Sequence, residues 1–83
     1  MNSIHIRIEA FGAIEKQLPH ELTFCCEPNA TVADILQLIV QSYPQVEQML
    51  ERCACAMGED IISRQYHLTQ NSTVVLLSPV AGG

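Results

Sequence analysis

The side chains that could carry chemistry are few and scattered. Three histidines, His5, His20 and His67, lie in separate parts of the chain, and none belongs to a known zinc or nucleophile motif. No glycine-rich phosphate loop follows a predicted strand, and no Cys–His pair is accompanied by a third group at a spacing that would orient the histidine. Catalysis by side chains of this chain alone is therefore poorly supported.

Four cysteines form an adjacent pair, Cys25 and Cys26, and a Cys-x-Cys pair, Cys53 and Cys55. Neither pair has the Cys-x-x-Cys spacing of a zinc knuckle or a redox motif. Neighbours in a strand point to opposite faces, so convergence of all four thiolates on a metal requires an unusual geometry. The prediction is reduced, buried thiols that pack as small apolar side chains, with a metal site as the minor alternative.

The remaining reactive group is the terminal carboxylate of Gly83. Pro79 cannot donate a hydrogen bond to a strand ladder, so the sheet should end there and leave residues 80–83 as a flexible tail. Four extended residues span about 13 Å, enough to carry a carboxylate into the active site of another protein. Without a Cβ, Gly82 and Gly83 would pass through a tunnel too narrow for other residues. The sequence thus predicts a domain over residues 1–79, a Gly-Gly tail over 80–83, and a site at Gly83.

Apolar patterns predict the elements that would hold this tail. Alternation of apolar and polar residues over 4–8 and again over 21–26 predicts two half-buried strands. The stretch between them, residues 11–20, contains Gly12 and Pro19 and predicts a connection with a helical turn.

The segment "NATVADILQLIVQSY" predicts the main helix. Thr31 is a good N-cap residue, and Asp34 stands three positions later, as in a capping box. Pro44 cannot continue this helix but can open a second, short one. Apolar residues recur at helical spacing through the main helix: Val32, Ile35, Leu36 and Ile39.

Further strands follow the helices. "CACAMGEDII" predicts a strand, a turn at Gly58 and Glu59, and a return strand. The last strand, "STVVLLS", is apolar on both faces, which is typical of a central strand. The order of elements predicts an α+β domain in which the main helix packs on one face of a mixed sheet.

The predicted helix covers one face of the sheet and leaves the other open. Either Val74 and Leu76 or Val75 and Leu77 then lack cover within the chain, because the register is uncertain by one residue. An exposed apolar patch usually marks an interface. Val75 and Leu77 are accordingly candidates for interface or for core.

Composition limits the classes of function. At 83 residues with 48% hydrophobic and 16% charged residues, the chain suits one globular domain, and no apolar run approaches a membrane span. The net charge of −5 disfavours nucleic-acid binding. The alternating start does not resemble a signal peptide, so a cytoplasmic protein is expected. The basic residues Lys16, Arg7, Arg52 and Arg64 are interpreted as solvated charges.

The order of elements, together with "TVADILQLI", "ACAMGEDI" and the ending "VVLLSPVAGG", resembles the MoaD/ThiS sulfur carriers of the ubiquitin-like β-grasp fold. The resemblance covers essentially the whole chain and is strongest to the small subunit of molybdopterin synthase. The chain departs from the family pattern at Gly58, at Asn71-Ser72 and at Ser78, where that family usually has a proline. None of these departures falls on Gly82 or Gly83.

The resemblance implies a mechanism centred on Gly83. An ATP-dependent, E1-like activating enzyme would adenylate the Gly83 carboxylate, and a persulfide protein would supply the sulfur of a thiocarboxylate. The tail, Val80, Ala81, Gly82 and Gly83, would enter the large subunit of molybdopterin synthase, with Pro79, Leu77 and Val75 at the interface. The chain would bind no cofactor of its own and would donate sulfur rather than catalyse alone.

Other functions stay open at this stage. The chain could be a sulfur carrier for thiamine thiazole synthesis or for transfer-RNA thiolation. It could instead be a ubiquitin-like modifier that joins Gly83 to lysines of target proteins. The plainest alternative is an interaction module whose terminal glycines have no role.

Overall fold

A mixed five-stranded sheet and a helix packed on one of its faces form the domain in the computed structural model, which describes residues 3–79. The strands are β1 (Ile4–Phe11), β2 (Leu22–Cys26), β3 (Ala30–Thr31), β4 (Ala54–Met57), β5 (Asp60–Ile62), β6 (His67–Leu68) and β7 (Ser72–Leu77). The helices are α1 (Val32–Ser42) and α2 (Glu47–Arg52), with short 3-10 turns at Ala13–Gln17 and Pro44–Val46. This architecture confirms the predicted α+β class. No helix within residues 3–79 is long and apolar enough to cross a membrane.

The last strand, β7, lies at the centre of the large sheet, whose order is β2-β1-β7-β4-β5. It pairs in parallel with β1 on one side and antiparallel with β4 on the other. The predicted central position of "STVVLLS" is therefore confirmed.

Alternate residues of β7 face opposite layers, which resolves the register that the sequence left open. Val74 and Leu76 are fully buried, and they pack in the core with Ile6 of β1 and with Ile35 and Ile39 of α1. Val75 and Leu77 lie on the sheet face that α1 does not cover.

Helix α1 begins at the predicted capping box. The backbone N–H of Asp34 donates to Thr31 Oγ1 at 3.3 Å, and the N–H of Thr31 donates to Asp34 Oδ2 at 2.9 Å. At the other end, the N–H of Tyr43 donates to the carbonyl of Ile39 at 2.7 Å, just before Pro44 starts the 3-10 turn. Both helix boundaries thus follow from local residue chemistry.

One predicted surface charge has a structural role instead. The guanidinium of Arg64 is half-buried and donates to the carbonyls of Leu50 and of Cys53, the latter at 3.2 Å. These carbonyls close helix α2, where the helix dipole also favours a cation. The expectation that Arg64 is a solvated charge is therefore wrong, because its partners lie 11 and 14 residues away and sequence patterns do not reveal them.

A second, two-stranded sheet joins β3 to β6, and the sequence patterns did not predict it. Ala30 pairs with Leu68 and Thr31 with His67. The His67 ring reinforces this contact, since its Nδ1 lies 2.9 Å from the carbonyl oxygen of Asn29. This small sheet places the N-cap of α1 against the segment that leads to β7.

Replacement of Thr31 by alanine tests the capping box. Loss of the hydroxyl acceptor leaves an N–H at the first turn of α1 without its partner, so Thr31→Ala should lower the free energy of unfolding by about 1 kcal/mol. Urea unfolding measures this change. Thr69→Ala, at an exposed loop position, is the matched control and should shift it by much less. Equal stability of the two variants would contradict a stabilising cap.

Candidate functional site

The predicted tail residues, Val80, Ala81, Gly82 and Gly83, lie outside the described residues. The described chain ends at Pro79, two residues beyond the end of β7. Within the described residues, the candidate site comprises the end of β7 and the sheet face around it.

The sheet face opposite α1 carries a continuous group of apolar side chains. We call it the apolar face and define it by Phe11, Ala54, Ala56, Ile61, Val75 and Leu77. The ladders place Leu77 between Phe11 and Ala54, and Val75 next to Ala56, which pairs in turn with Ile61. Three of these side chains are large and exposed, Phe11 at 49%, Ile61 at 68% and Leu77 at 37%. A patch of this kind usually marks an interface, as the sequence predicted for Val75 and Leu77.

The apolar face is not spread over the whole sheet. Towards the start of β7, the same side of the sheet carries Arg7 paired with Thr73 and Thr23, and then His5 paired with Cys25. The apolar part is thus concentrated at the end of β7. It borders the point at which Ser78 and Pro79 leave the sheet.

Ser78 ties the end of β7 to the end of β1. Its backbone N–H donates to the carbonyl of Phe11 at 3.0 Å, and its hydroxyl donates to the same carbonyl at 2.9 Å. The hydroxyl also accepts from the N–H of Ile14 at 3.0 Å. We call these three hydrogen bonds the Ser78 clasp.

Gly12 is the residue that allows the clasp to close. It has a φ of +89°, which L side chains rarely adopt, and a Cβ there would clash with the Ser78 carbonyl and lie 2.5 Å from Ser78 Oγ. The sequence had placed Gly12 only in a connection. The structure shows that both its backbone conformation and its contact with Ser78 require glycine.

The cysteines are free, and two of the four are less buried than predicted. Cys53 and Cys55 are buried in the core, and burial raises the pKa of both thiols. Burial also raises the pKa of the half-buried Cys26 thiol. Cys25 is exposed, contrary to the expectation of buried thiols, because it shares the outer side of the sheet with His5, whose Nδ1 lies 3.2 Å from Cys25 Sγ. Across residues 3–79, no three His, Cys, Asp or Glu side chains are grouped to hold a metal.

A model of the ThiS family matches residues 11–83. The crystal structure of SAMP1 from Haloferax volcanii superposes with a TM-score of 0.81 at 16% identity, over 95% of this chain and 99% of that chain. Caldiarchaeum subterraneum ubiquitin superposes with a TM-score of 0.69 at 15% identity, over 99% and 100%. These likenesses confirm the ubiquitin-like β-grasp fold.

A third similar structure is a complex. In the protein–protein complex of subunits 1 and 2 of the molybdopterin-converting factor from Helicobacter pylori 26695, one chain superposes with a TM-score of 0.60 at 26% identity. The match covers 96% of this chain and 100% of that chain. No curated protein is similar enough to this chain to count as a match.

Thiol titration tests the arrangement of the cysteines. In the native protein, Ellman's reagent should react fast with Cys25, more slowly with Cys26, and with Cys53 and Cys55 only after unfolding, because burial both blocks access and raises the pKa. Cys25→Ser should remove the fast phase alone. Fast reaction of four thiols in the folded protein would contradict the burial described above.

Proposed function

The chain belongs to the ThiS family, and we propose from this that it is a sulfur carrier, with the carboxylate of Gly83 as the group that becomes a thiocarboxylate. One observation carries the proposal, namely that the family match extends to Gly83. The apolar face supports it, because this face is concentrated at the end of β7, beside the residues that lead into the tail. A docking face beside a reactive chain end suits a protein that presents its terminus to other proteins.

The chemistry begins with activation, because a carboxylate is a poor electrophile. An E1-like enzyme would transfer AMP from ATP to the Gly83 carboxylate, release pyrophosphate and form an acyl-adenylate. The terminal sulfur of a protein persulfide would displace AMP and form an acyl disulfide. A second thiol would then cleave the S–S bond, leave the thiocarboxylate on Gly83 and be oxidised to a disulfide with the donor cysteine. ATP is bound by the activating enzyme, so the carrier itself needs no bound cofactor.

The proposed destination of the sulfur is molybdopterin, with this chain as the small subunit of molybdopterin synthase. Support comes from the 26% identity with a chain of the Helicobacter pylori complex of subunits 1 and 2, which covers nearly the whole of both chains. By analogy, a large subunit would accept the tail and hold the phosphorylated pterin precursor. We place this reaction in the cytoplasm, where ATP is available.

The apolar face provides the contact that makes the tail effective. Phe11 and Leu77 are exposed apolar side chains in adjacent strands, directly beside the exit of the tail. Burial of these side chains against a partner would hold Gly83 close to the acceptor and raise its effective concentration. The same face would serve the activating enzyme and the large subunit in turn.

Intact mass spectrometry tests the carrier function. Protein recovered from cells with an active sulfur-transfer system should carry one sulfur in place of one oxygen, a gain of about 16 Da, and fragmentation should locate it at Gly83. A variant with one alanine added after Gly83 is the control and should keep its fold but stay unmodified. Amide-linked conjugates of higher mass would instead identify a ubiquitin-like modifier, and an unmodified terminus would refute the carrier proposal.

Substitution of Leu77 tests the docking face. Leu77→Asp places a charge at the centre of a contact that should be dry, so binding to the large subunit should weaken by about tenfold or more. Isothermal titration calorimetry measures the change. Tyr66→Asp is a matched control because Tyr66 is also a large, exposed side chain, at 44%, but lies outside the apolar face. Equal weakening by both variants would exclude a specific docking role.

Partner capture with the full-length chain tests the pathway. Capture of a thiazole synthase or a tRNA-thiolation enzyme in place of the large subunit would change the pathway and keep the carrier function.

A further inference from the structure

The backbone N–H and the hydroxyl of Ser78 both make hydrogen bonds with residues at the end of β1 or just after it. Its N–H and its hydroxyl both donate to the carbonyl of Phe11, at 3.0 and 2.9 Å, and the hydroxyl accepts from Ile14 at 3.0 Å. These partners lie 64 and 67 residues earlier in the chain, at the junction of β1 and the first 3-10 turn. The clasp therefore joins the exit of β7 to the junction of β1 and the first 3-10 turn, where the Ile14 side chain is fully buried.

The clasp extends the anchorage of the chain beyond the sheet. The ladder between β7 and β1 ends with the pair Leu77 and Phe11. Ser78 adds its three hydrogen bonds one residue further, and the next residue, Pro79, has no N–H to donate. Ser78 is thus the last residue that a backbone donor fixes before the tail begins.

The position of Ser78, the pivot of the tail, matters because it sets the region that the chain end can reach. Residues 79–83 span at most about 17 Å even when fully extended, so a shift of the pivot moves that whole region relative to a docked partner. Attack by the Gly83 carboxylate on the α-phosphate of ATP, which releases pyrophosphate, requires the reacting atoms to lie within about 3 to 3.5 Å in the correct orientation. An unfixed pivot therefore reduces the fraction of docked complexes in which Gly83 can react.

We infer that Ser78 is a positioning residue, which together with Gly12 sets the direction in which the C-terminal residues leave the domain. The inference rests on the proposed function, because it concerns delivery of the Gly83 carboxylate to the activating enzyme. Docking and delivery are separate in this arrangement. Leu77 and Phe11 supply the contact surface, whereas the Ser78 hydroxyl points at the Phe11 carbonyl and the Ile14 N–H and sets the pivot.

The test is the rate of ATP–pyrophosphate exchange, with the full-length chain as substrate for the activating enzyme of its source organism. Ser78→Ala keeps the backbone hydrogen bond and removes the two made by the hydroxyl, whereas Ser78→Thr retains a hydroxyl at the same position. We expect kcat to fall about three- to tenfold for Ser78→Ala and to stay within about twofold of the wild-type value for Ser78→Thr. KM should change less than about twofold in both variants, because orientation contributes to reaction and not to docking.

A serine at the other end of the same strand provides the matched control. The Ser72 hydroxyl also makes a hydrogen bond, to the carbonyl of Gln70 at 2.7 Å, but lies far along β7 from the tail. Ser72→Ala should leave both kcat and KM unchanged. Thermal unfolding of each variant ensures that the assay temperature lies below every melting transition.

The outcomes separate the two hypotheses. Unchanged kcat in Ser78→Ala, an equal fall in Ser78→Thr or in Ser72→Ala, or a change in KM alone would overturn the positioning role. Exchange by the wild-type chain would in each case leave the proposed carrier function standing. Absence of exchange with the wild-type chain would overturn the proposed function and this inference with it.

Discussion

The central strand β7 is the constraint on which the rest of the structure depends. It pairs with β1 on one side and β4 on the other, so its backbone is held by two ladders at once. Val74 and Leu76 are fully buried between the sheet and α1, and burial of each side chain stabilises the fold by roughly 1.5 to 3 kcal/mol. The strand that leads to the tail is therefore among the last parts of the domain to open. In the proposed carrier, the terminus presented to other proteins would follow directly from this doubly paired strand.

The alternation of side chains along β7 gives its two faces separate roles. One face completes the core, and the other carries Val75 and Leu77 to the apolar face. A change on the core face should alter stability, whereas a change on the outer face should, on the proposed docking role, mainly alter association. Towards the start of β7, the pairs that Arg7 makes with Thr73 and Thr23 give the same side of the sheet a polar character.

Local patterns predicted most of the fold, and long-range contacts explain what they missed. The capping box of α1 and the strand at residues 4–8 depend on residues a few positions apart, so the sequence contains the whole signal. The orientation of β7 could not be predicted because both of its faces are apolar, and only the ladders with β1 and β4 settle it. Arg64, Cys25 and the small sheet of β3 and β6 depend on partners far along the chain. At the candidate site, Leu77 and Val75 were predicted as possible interface residues. Gly12 was predicted only to lie in a connection, and Ser78 was noted only as a departure from a family pattern. Their shared contact spans more than sixty residues, which no local pattern reports.

The apolar face lies beside the tail, so the two proposed partners, the activating enzyme and the large subunit, would dock on the same surface in turn. If the activating enzyme and the large subunit both dock on the apolar face, as proposed, they would compete for Leu77 and Phe11 and could not bind together. The proposed conversion of the Gly83 carboxylate to a thiocarboxylate exchanges one atom and keeps one negative charge. The docking face would then have no means of distinguishing the loaded from the unloaded carrier. The partners would have to distinguish the loaded from the unloaded form at the terminal atoms of Gly83. The apolar face would supply an affinity common to both partners. Exchange between them then requires that this common affinity stay moderate, which is in keeping with a contact built around a few exposed apolar side chains.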